Sequence, residues 1–499
     1  MKGVRLPRSS LIGVSLAVLL VRTSRRLDFA RRGRRFCSTG RCLGNRSEPL
    51  LLVAGGGAAG IYASLRAKEL APHLNVLVIE KGKPLSKVRI SGGGRCNVTN
   101  GNFLEKMVQI CFWHSLKIYE IIFSLGLAGN YPRGNKELQG AYFNIHGPQD
   151  TMSWFSNHGV DLKIEEDGRV FPVSNNSSSI VDCLLGEAKK MGDSTQYFVV
   201  VQLQIGKVIS NVSISYKGKF NLRIEKRTID LVEDIEADFL LVATGSCQQG
   251  YKLAVQLGHS IVQPMPSIFT FKIEDNKLQS LSGITLPKVK AKLKLENICK
   301  NQPEYTQVGP MLITHWGLSG PVILRLSAWG ARDLFLNEYK GFVYIDFIPE
   351  INVEDLKLIL SQHREHMAKQ KLSNSFPSKF GLVKRFWGYL LDREGLDGDE
   401  PWASLANKSL NSIALLLKQC SFKVIGKGQF KEEFVTSGGV PLSEITLSNM
   451  ESRIWKNLFF AGEVLNVDGI TGGFNFQNAW TGGYIAGTSI GELASTYLL

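Results

Sequence analysis

The sequence predicts an α/β protein: a parallel sheet interrupted by a β-rich insertion and by a small helical insertion. Three observations predict it. Leu50–Ala54 is a short continuous apolar run, as expected of a parallel strand buried on both faces, and it leads through glycines into a helical segment and a second strand. Phe239–Ala243 and Leu458–Ala461 repeat the buried-strand pattern far downstream, so the sheet draws on both ends of the chain. Between them the periodicity changes, first to the alternation of half-buried strands and then to helical spacing.

The first 48 residues stand apart. They hold 12 of the 59 Lys/Arg against two acids, Asp28 and Glu48. Their apolar run, Leu11–Val21, is too short to cross a bilayer comfortably as a helix, and it continues into arginines rather than a small-residue cleavage site. A basic transit peptide over 1–48 is expected, addressed to the mitochondrion with the plastid as the alternative, and Arg34-Arg35-Phe36-Cys37-Ser38 is the processing region it suggests. No membrane span is expected.

Residues 49–265 form the first part of the main domain. Leu50–Ala54, a helix to about Leu70 that Pro72 helps to stop, and a strand at Asn75–Glu80 make a βαβ unit. Residues 103–127 are a nearly apolar, helix-like run. Val212, Ile214 and Tyr216, the Lys217-Gly218 turn, and Phe220, Leu222 and Ile224 pattern an antiparallel hairpin. In 266–350, a β-rich inserted domain, Val289, Ala291, Leu293 and Leu295 alternate with lysines and Phe342–Phe347 is another strand. A helical inserted domain follows over 351–425, and 426–499 returns to the sheet and ends in a glycine-rich helix.

Composition narrows the class. With 44% hydrophobic and 21% charged residues, the chain is not mainly disordered. Of the formal charge of +15, the leader carries most, and the body is left with only +5. That mild surplus is no argument for RNA binding, though it does not exclude it; a small-molecule substrate is expected, and nucleic acid is not. Eight cysteines without a C-x-x-C pair remove the usual zinc ribbons and paired-thiol redox centres, and suit a reducing compartment.

Gly55-x-Gly57-x-x-Gly60 follows a strand and opens a helix. Gly55 permits the tight turn, Gly57 lets the backbone approach a pyrophosphate, and Gly60 lets helix and strand pack closely. Ala58 and Ala59 lie at the helix start, where partial positive charge favours phosphate. Glu80, at the end of the next strand with Lys81 beside it, is placed to accept hydrogen bonds from an adenosine ribose. The glycines alone are a weak signal; with strand, helix and spaced acid they indicate a dinucleotide.

Three further places bear on which one. Ser91-Gly92-Gly93-Gly94-Arg95-Cys96-Asn97 sets backbone N–H groups beside a guanidinium, suited to a diphosphate or an electron-rich ring. Ala243-Thr244-Gly245 ends a strand without side-chain obstruction. Gly462-Glu463 ends another, and Gly472-Gly473-Phe474-Asn475 opens the last helix. An acid there can hold ribityl hydroxyls, and a helix dipole can stabilise negative charge on a reduced flavin. FAD is therefore expected, in a Rossmann-type FAD-binding domain. With no second G-x-G-x-x-G, NAD(P)H is expected only as a transient electron donor. No metal-ligand cluster, P-loop or Ser-His-Asp arrangement competes.

These motifs carry a resemblance. Leu52 to Asn100, Gly168-Arg169-Val170-Phe171-Pro172-Val173-Ser174, Thr314-His315-Trp316-Gly317-Leu318-Ser319-Gly320-Pro321, and Ala461 to Gly473 resemble the BaiN-type (YhiN-like) FAD-dependent oxidoreductases of bacteria and plants. The likeness covers about residues 50 to 490, in the family's order. It implies a Rossmann-type FAD domain split by one β-rich and one helical insertion, and flavin reductase or oxidase activity, sometimes on steroid-like or small amine substrates. The chain departs from the pattern twice. Only Ser246-Cys247-Gln248-Gln249 separates Gly245 from Gly250-Tyr251, where the family has a longer loop, and this implies a remodelled substrate entrance. Residues 103–127 have no family counterpart, which leaves either an insertion or retained non-coding sequence.

The expected function is hydride transfer through the flavin between a donor and a small organic acceptor or oxygen. A flavoprotein acting in RNA modification and a non-catalytic flavin-binding module are the alternatives. No catalytic acid or base is assigned. Cys96 beside Arg95 is a redox candidate whose plainer reading is a small buried residue; His315 and His146 are acid–base candidates whose plainer reading is structural. Ser319 is expected to help cap a helix that begins at Pro321.

Overall fold

A computed structural model of the chain describes residues 48–101, 126–190, 201–226, 232–295, 305–428 and 435–496. The expected transit peptide and nearly all of the apolar run at 103–127 lie outside the described residues.

Four strands from the first half begin the main sheet: β1 (Leu50–Ala54), β2 (Asn75–Glu80), β3 (Gln202–Ile205) and β4 (Phe239–Val242). Helix α1 (Ala58–Leu70) connects β1 to β2, and α2 (Ser86–Gly94) follows β2. The middle of the chain supplies β5 (Phe271–Ile273), β6 (Thr285–Lys294), β7 (Tyr305–Thr314), β8 (Gly317–Ser319), α3 (Pro321–Trp329), β9 (Gly341–Asp346) and β10 (Cys420–Lys427). The chain then returns through β11 (Ile445–Thr446), β12 (Glu451–Ser452) and β13 (Leu458–Phe460) to a closing helix, α4 (Phe474–Thr496).

The main sheet has seven strands in the order β11-β12-β13-β4-β1-β2-β3. The five strands from β13 to β3 run parallel, and β12 and β11 extend the sheet antiparallel. Leu51, Leu52 and Val53 are fully buried, as a strand covered on both faces requires. The chain leaves β1 for β2 on one side and later fills β4 on the other. That reversal opens a crevice beyond the carboxyl ends of β1 and β4, where open α/β sheets bind their ligands.

Helices α1 and α4 meet backbone to backbone. Gly483, Gly487 and Gly491 recur every fourth residue, on one face of α4. A Cβ at each would lie 2.8 Å from Ala59 O, 2.5 Å from Ala63 O and 3.0 Å from Ala67 O, respectively. The glycine-rich end of the chain is thus a packing surface for the helix that follows the first glycine turn.

Strands β5 to β10 close into a barrel in the order β5-β8-β7-β6-β9-β10. Val289, Ala291 and Leu293 point into it while the intervening lysines point out. The sequence reading divides this stretch at residue 350. In the structure the last barrel strand comes after the helices at Val353–His366, Lys384–Arg393 and Asn407–Lys418, and one core serves both parts, with Ile345 and Phe422 packed among Leu356, Trp387 and Ile413. Helix α3 does begin at Pro321, but Ser319 does not cap it; its Oγ accepts a hydrogen bond from Thr270 Oγ1 at 3.0 Å instead. Among the described residues no helix is long and apolar enough to cross a membrane.

Candidate FAD site

The glycine turn after β1 divides its labour by position. Gly55 has φ +108°, and a Cβ there would lie 2.5 Å from Ala243 O, so only glycine fits between β1 and the end of β4. At Gly60 a Cβ would sit 2.0 Å from Gly55 O, so this residue sets how closely α1 approaches the strand. Gly57 is the opposite case: a Cβ there would meet nothing within 4 Å. No side chain caps α1 at Gly57, and its first turn holds no acid. The N–H groups at Ala58 and Ala59 thus open on a space suited to an anion.

Glu80 braces this mouth. Its Oε2 accepts the Gly56 N–H at 2.8 Å and its Oε1 the Gly82 N–H at 2.7 Å, with Lys81 exposed beside it. At the ends of β4 and β13, Gly245 and Gly462 adopt φ of +61° and +79°. Glu463 lies between them: its Oε1 accepts the Thr436 N–H at 2.9 Å and its Oε2 accepts from Lys87 Nζ at 2.8 Å. Gly462 abuts Ala59 of α1, where a Cβ would be 3.0 Å from the alanine's. Gly55, Gly57, Gly60, Glu80, Gly245, Gly462 and Glu463 therefore converge on one crevice.

A second group forms the neighbouring wall. Gly92, Gly93, Gly94 and Cys96 all have φ between +58° and +84°, a tight glycine turn in which the Arg95 and Cys96 N–H groups both return to the Ser91 carbonyl. A Cβ at Gly92 would be 2.9 Å from Phe171, whereas Gly93 and Gly94 face open space. Arg95 lays its guanidinium 3.9 Å from the Phe171 ring centre and donates to Glu165 at 2.7 Å. Cys96 is fully buried, and burial pushes its thiol up to about 12. It is a protonated packing residue at neutral pH, which removes the basis for a thiolate role.

The loop before α4 closes against this wall. Gly472 has φ +127°, and its carbonyl accepts from Asn100 Nδ2 at 2.9 Å. A Cβ at Gly473 would be 2.4 Å from Thr99 O. The Asn97 amide, with its oxygen toward Gly473 N–H at 2.9 Å, joins this turn to the start of α4. Asn475 turns back to Gly469, accepting its N–H and donating to its carbonyl, each at 2.8 Å. Its side chain holds the loop.

Sequence reasoning missed the residues that assemble these walls. Lys87 bridges Glu463 and also donates to Ser246 Oγ at 3.1 Å. Arg133 and Asp468 form a buried ion pair beneath the loop before α4. Asp468 stood in a quoted motif, but nothing near Arg133 marked its partner.

The acid–base candidates separate. Burial, and then Arg66, push His146 down to about 3; its Nε2 lies 3.1 Å from Tyr62 Oη and its ring stacks on Tyr484 at 4.3 Å. It is a neutral, satisfied core histidine. His315 is exposed in the turn between β7 and β8. A cavity of about 540 Å³ lined by Glu48, Arg66, Trp154 and Lys190 lies toward the amino ends of the strands, away from the glycine turns. Among the described residues no His/Cys/Asp/Glu group could hold a metal ion.

The donor set fits FAD: an uncapped helix start with open space over Gly57, an acid beside it, a glycine turn open at Gly93 and Gly94, and a second helix start at Gly473. The chain matches the HI0933-like protein Rossmann domain over residues 124–489. It belongs to the HI0933-like family of FAD-dependent Rossmann proteins. That agrees with the BaiN-type resemblance carried by the motifs, and makes this a flavin-dependent oxidoreductase family member. Among curated relatives, a 3-dehydro-bile acid delta(4,6)-reductase of Clostridium scindens is 25% identical over 453 residues, 88% of this chain and 98% of the relative. Ribosomal RNA dihydrouridine synthases of Haemophilus influenzae and Escherichia coli are each 28% identical, over 88% and 86% of this chain and 98% and 95% of their own. Of solved structures, an Escherichia coli quinol fumarate reductase FrdA aligns with 90% of this chain and 71% of its own at a TM-score of 0.45 and 15% identity, too distant to add to the HI0933-like assignment.

Proposed function

We propose that this chain is an FAD-dependent reductase that adds hydrogen across a carbon–carbon double bond conjugated to a carbonyl group. The observation that carries the reading is the chemistry shared by the relatives' names. A 3-oxo bile acid with a 4,6-diene and a uracil ring both present an electron-poor alkene, which takes hydride at the carbon β to the carbonyl and a proton at the α carbon. All three relatives align over 95% or more of their length.

Bound FAD supplies the two-electron carrier. The protein's share is binding and aiming: Ala58 and Ala59 at the start of α1 would receive the diphosphate, Glu80 the adenosine ribose, and Glu463 the ribityl chain. The first turn of α4 at Gly472–Gly473 would stabilise negative charge at the ring's pyrimidine end. NAD(P)H as a visiting donor completes the electron balance. The buried Cys96 thiol and neutral His146 are not proton donors in this reading.

A second reading of the substrate, uridine within RNA, is favoured by two of the three relatives bearing that name. The test mixes anaerobically reduced holoprotein with a 4,6-dien-3-one steroid or with a uridine-containing RNA. Reoxidation of the flavin with a two-dalton gain in one acceptor supports the reductase reading and chooses its substrate; reoxidation by oxygen alone contradicts it.

A further inference from the structure

The order of the main sheet sets Lys87 apart from its two partners. Lys87 stands in α2, which follows β2, on one side of β1. Ser246 follows the end of β4 and Glu463 the end of β13, both on the other side. With neighbouring strands about 4.8 Å apart, β2 lies about 10 Å from β4 and about 14 Å from β13. Lys87 Nζ nevertheless donates to Glu463 Oε2 at 2.8 Å and to Ser246 Oγ at 3.1 Å. Lys87 therefore reaches from the β2 side to the β4 side, past the carboxyl end of β1, where the reversal of strand order opens the crevice.

Both ends of this bridge are held. The Leu85 N–H donates to Gly56 O at 2.9 Å, which seats the start of α2 on the first glycine turn. Glu463 Oε1 accepts the Thr436 N–H at 2.9 Å, and its Oε2 lies 3.7 Å from where a Cβ on Gly245 would be. A Cβ on Gly57 would meet nothing within 4 Å, so the bridge crosses without filling the space at the start of α1. A carboxylate offers about four acceptor sites. Lys87 and Thr436 each take one, so Glu463 can keep the bridge and still accept from a bound hydroxyl. The lysine side chain is 49% exposed, and an ion pair open to water on that side parts at small cost.

We infer that Lys87, held by Glu463 and Ser246, is a strap across the cofactor crevice, which opens to let FAD enter or leave and closes over its bound chain. It rests on the crevice holding FAD, and adds to that reading a control on how fast the cofactor exchanges. The strap must part in both directions, so its loss speeds entry and release together and leaves equilibrium affinity unchanged. Ser246 belongs to the short segment between Gly245 and Gly250, so the shortened loop supplies one of the strap's two anchors.

The test loads full-length protein with radiolabelled FAD at low salt and chases it with an excess of unlabelled FAD. Lys87→Gln should release label roughly 2- to 5-fold faster than wild type, while fluorescence titration of the apoprotein with FAD gives an unchanged Kd. Lys87→Arg keeps a cation of similar reach and should restore slow release. At about 1 M salt, where the screening length is about 3 Å, wild type should approach the Lys87→Gln rate. A Lys87→Gln protein that releases FAD as slowly as wild type overturns the strap. So does faster release matched by an equal loss of affinity, which would make Lys87 an ordinary contact to the cofactor. Wild-type protein that folds and takes up no FAD overturns the cofactor reading, and the strap with it.

Discussion

Arg133 and Asp468 form a buried ion pair that fastens the loop before the last helix to the middle of the chain. Arg133 Nε donates to Asp468 Oδ1 at 2.6 Å, and the same guanidinium reaches Ala328 O at 2.6 Å and Ser267 Oγ at 2.8 Å. One side chain therefore ties the loop before α4 to α3 and to the segment leading into the barrel. The Asp468 side chain is wholly buried, so removing its partner leaves an uncompensated charge. Arg133→Ala should cost roughly 3–5 kcal/mol in urea unfolding. The double variant with Asp468→Asn should lose less than the two single losses added together. Additive losses would mean the residues act independently.

The glycines of the first turn should fail in different ways. Gly57→Val points into space that no protein atom fills, so the protein should purify folded and colourless, with flavin lost. Gly60→Ala drives a methyl toward Gly55 O, and should cost roughly 1–3 kcal/mol or more as backbone overpacking. A yellow Gly57→Val protein contradicts the diphosphate site.

Glu463 can be separated from its partners. Its bridge to Lys87 is half-exposed on the lysine side, and pairs of that kind contribute about 0–1 kcal/mol. Glu463→Ala should weaken flavin retention while leaving the unfolding midpoint of the apoprotein nearly unchanged, and Lys87→Ala should not reproduce the loss. Equal flavin affinity in Glu463→Ala would reduce the acid to a cap for Thr436.

His146 gives the fold an acid limit. Its folded-state pKa is held down to about 3 by burial, against an ordinary value near 6.5 in the unfolded chain. At pH 7 it is neutral in both states and contributes no pH dependence. As pH falls from about 6.5 toward 3, the unfolded chain binds a proton that the folded one refuses, so stability falls by up to about 1.4 kcal/mol per pH unit. The stability of His146→Gln should decline less steeply between pH 7 and 5; parallel slopes would show that the ring titrates in the folded protein.

Cys96 should resist alkylation. With its thiol buried and pushed up to about 12, iodoacetamide at pH 8 should leave it unmodified in folded protein and label it only after denaturation. Rapid labelling of Cys96 in the native state would restore it as a redox candidate.

Much of the main sheet was legible because its signals are local. Leu50–Ala54 and Asn75–Glu80 are bounded by glycine, proline and charge, and the strands occupy those residues. Barrel closure was not legible: alternation at Val289 to Leu295 reports one buried face, not that a strand at Cys420–Lys427 will close the ring after a run of helices. Of the site, the glycine turn could be read because its spacing comes with a strand before it, a helix after it and an acid at the end of the next strand. Lys87, Arg133 and the amide of Asn97 could not, since each acts on a residue far away in sequence.

The most direct test of the account is a visible absorption spectrum of the purified full-length protein, followed anaerobically through additions of NADH and of NADPH. Oxidised flavin bands that bleach with one of the nucleotides, and return when a conjugated carbonyl acceptor is added, are the predicted result. Folded protein without flavin bands would contradict the cofactor site. Flavin that neither nucleotide reduces would contradict the reductase.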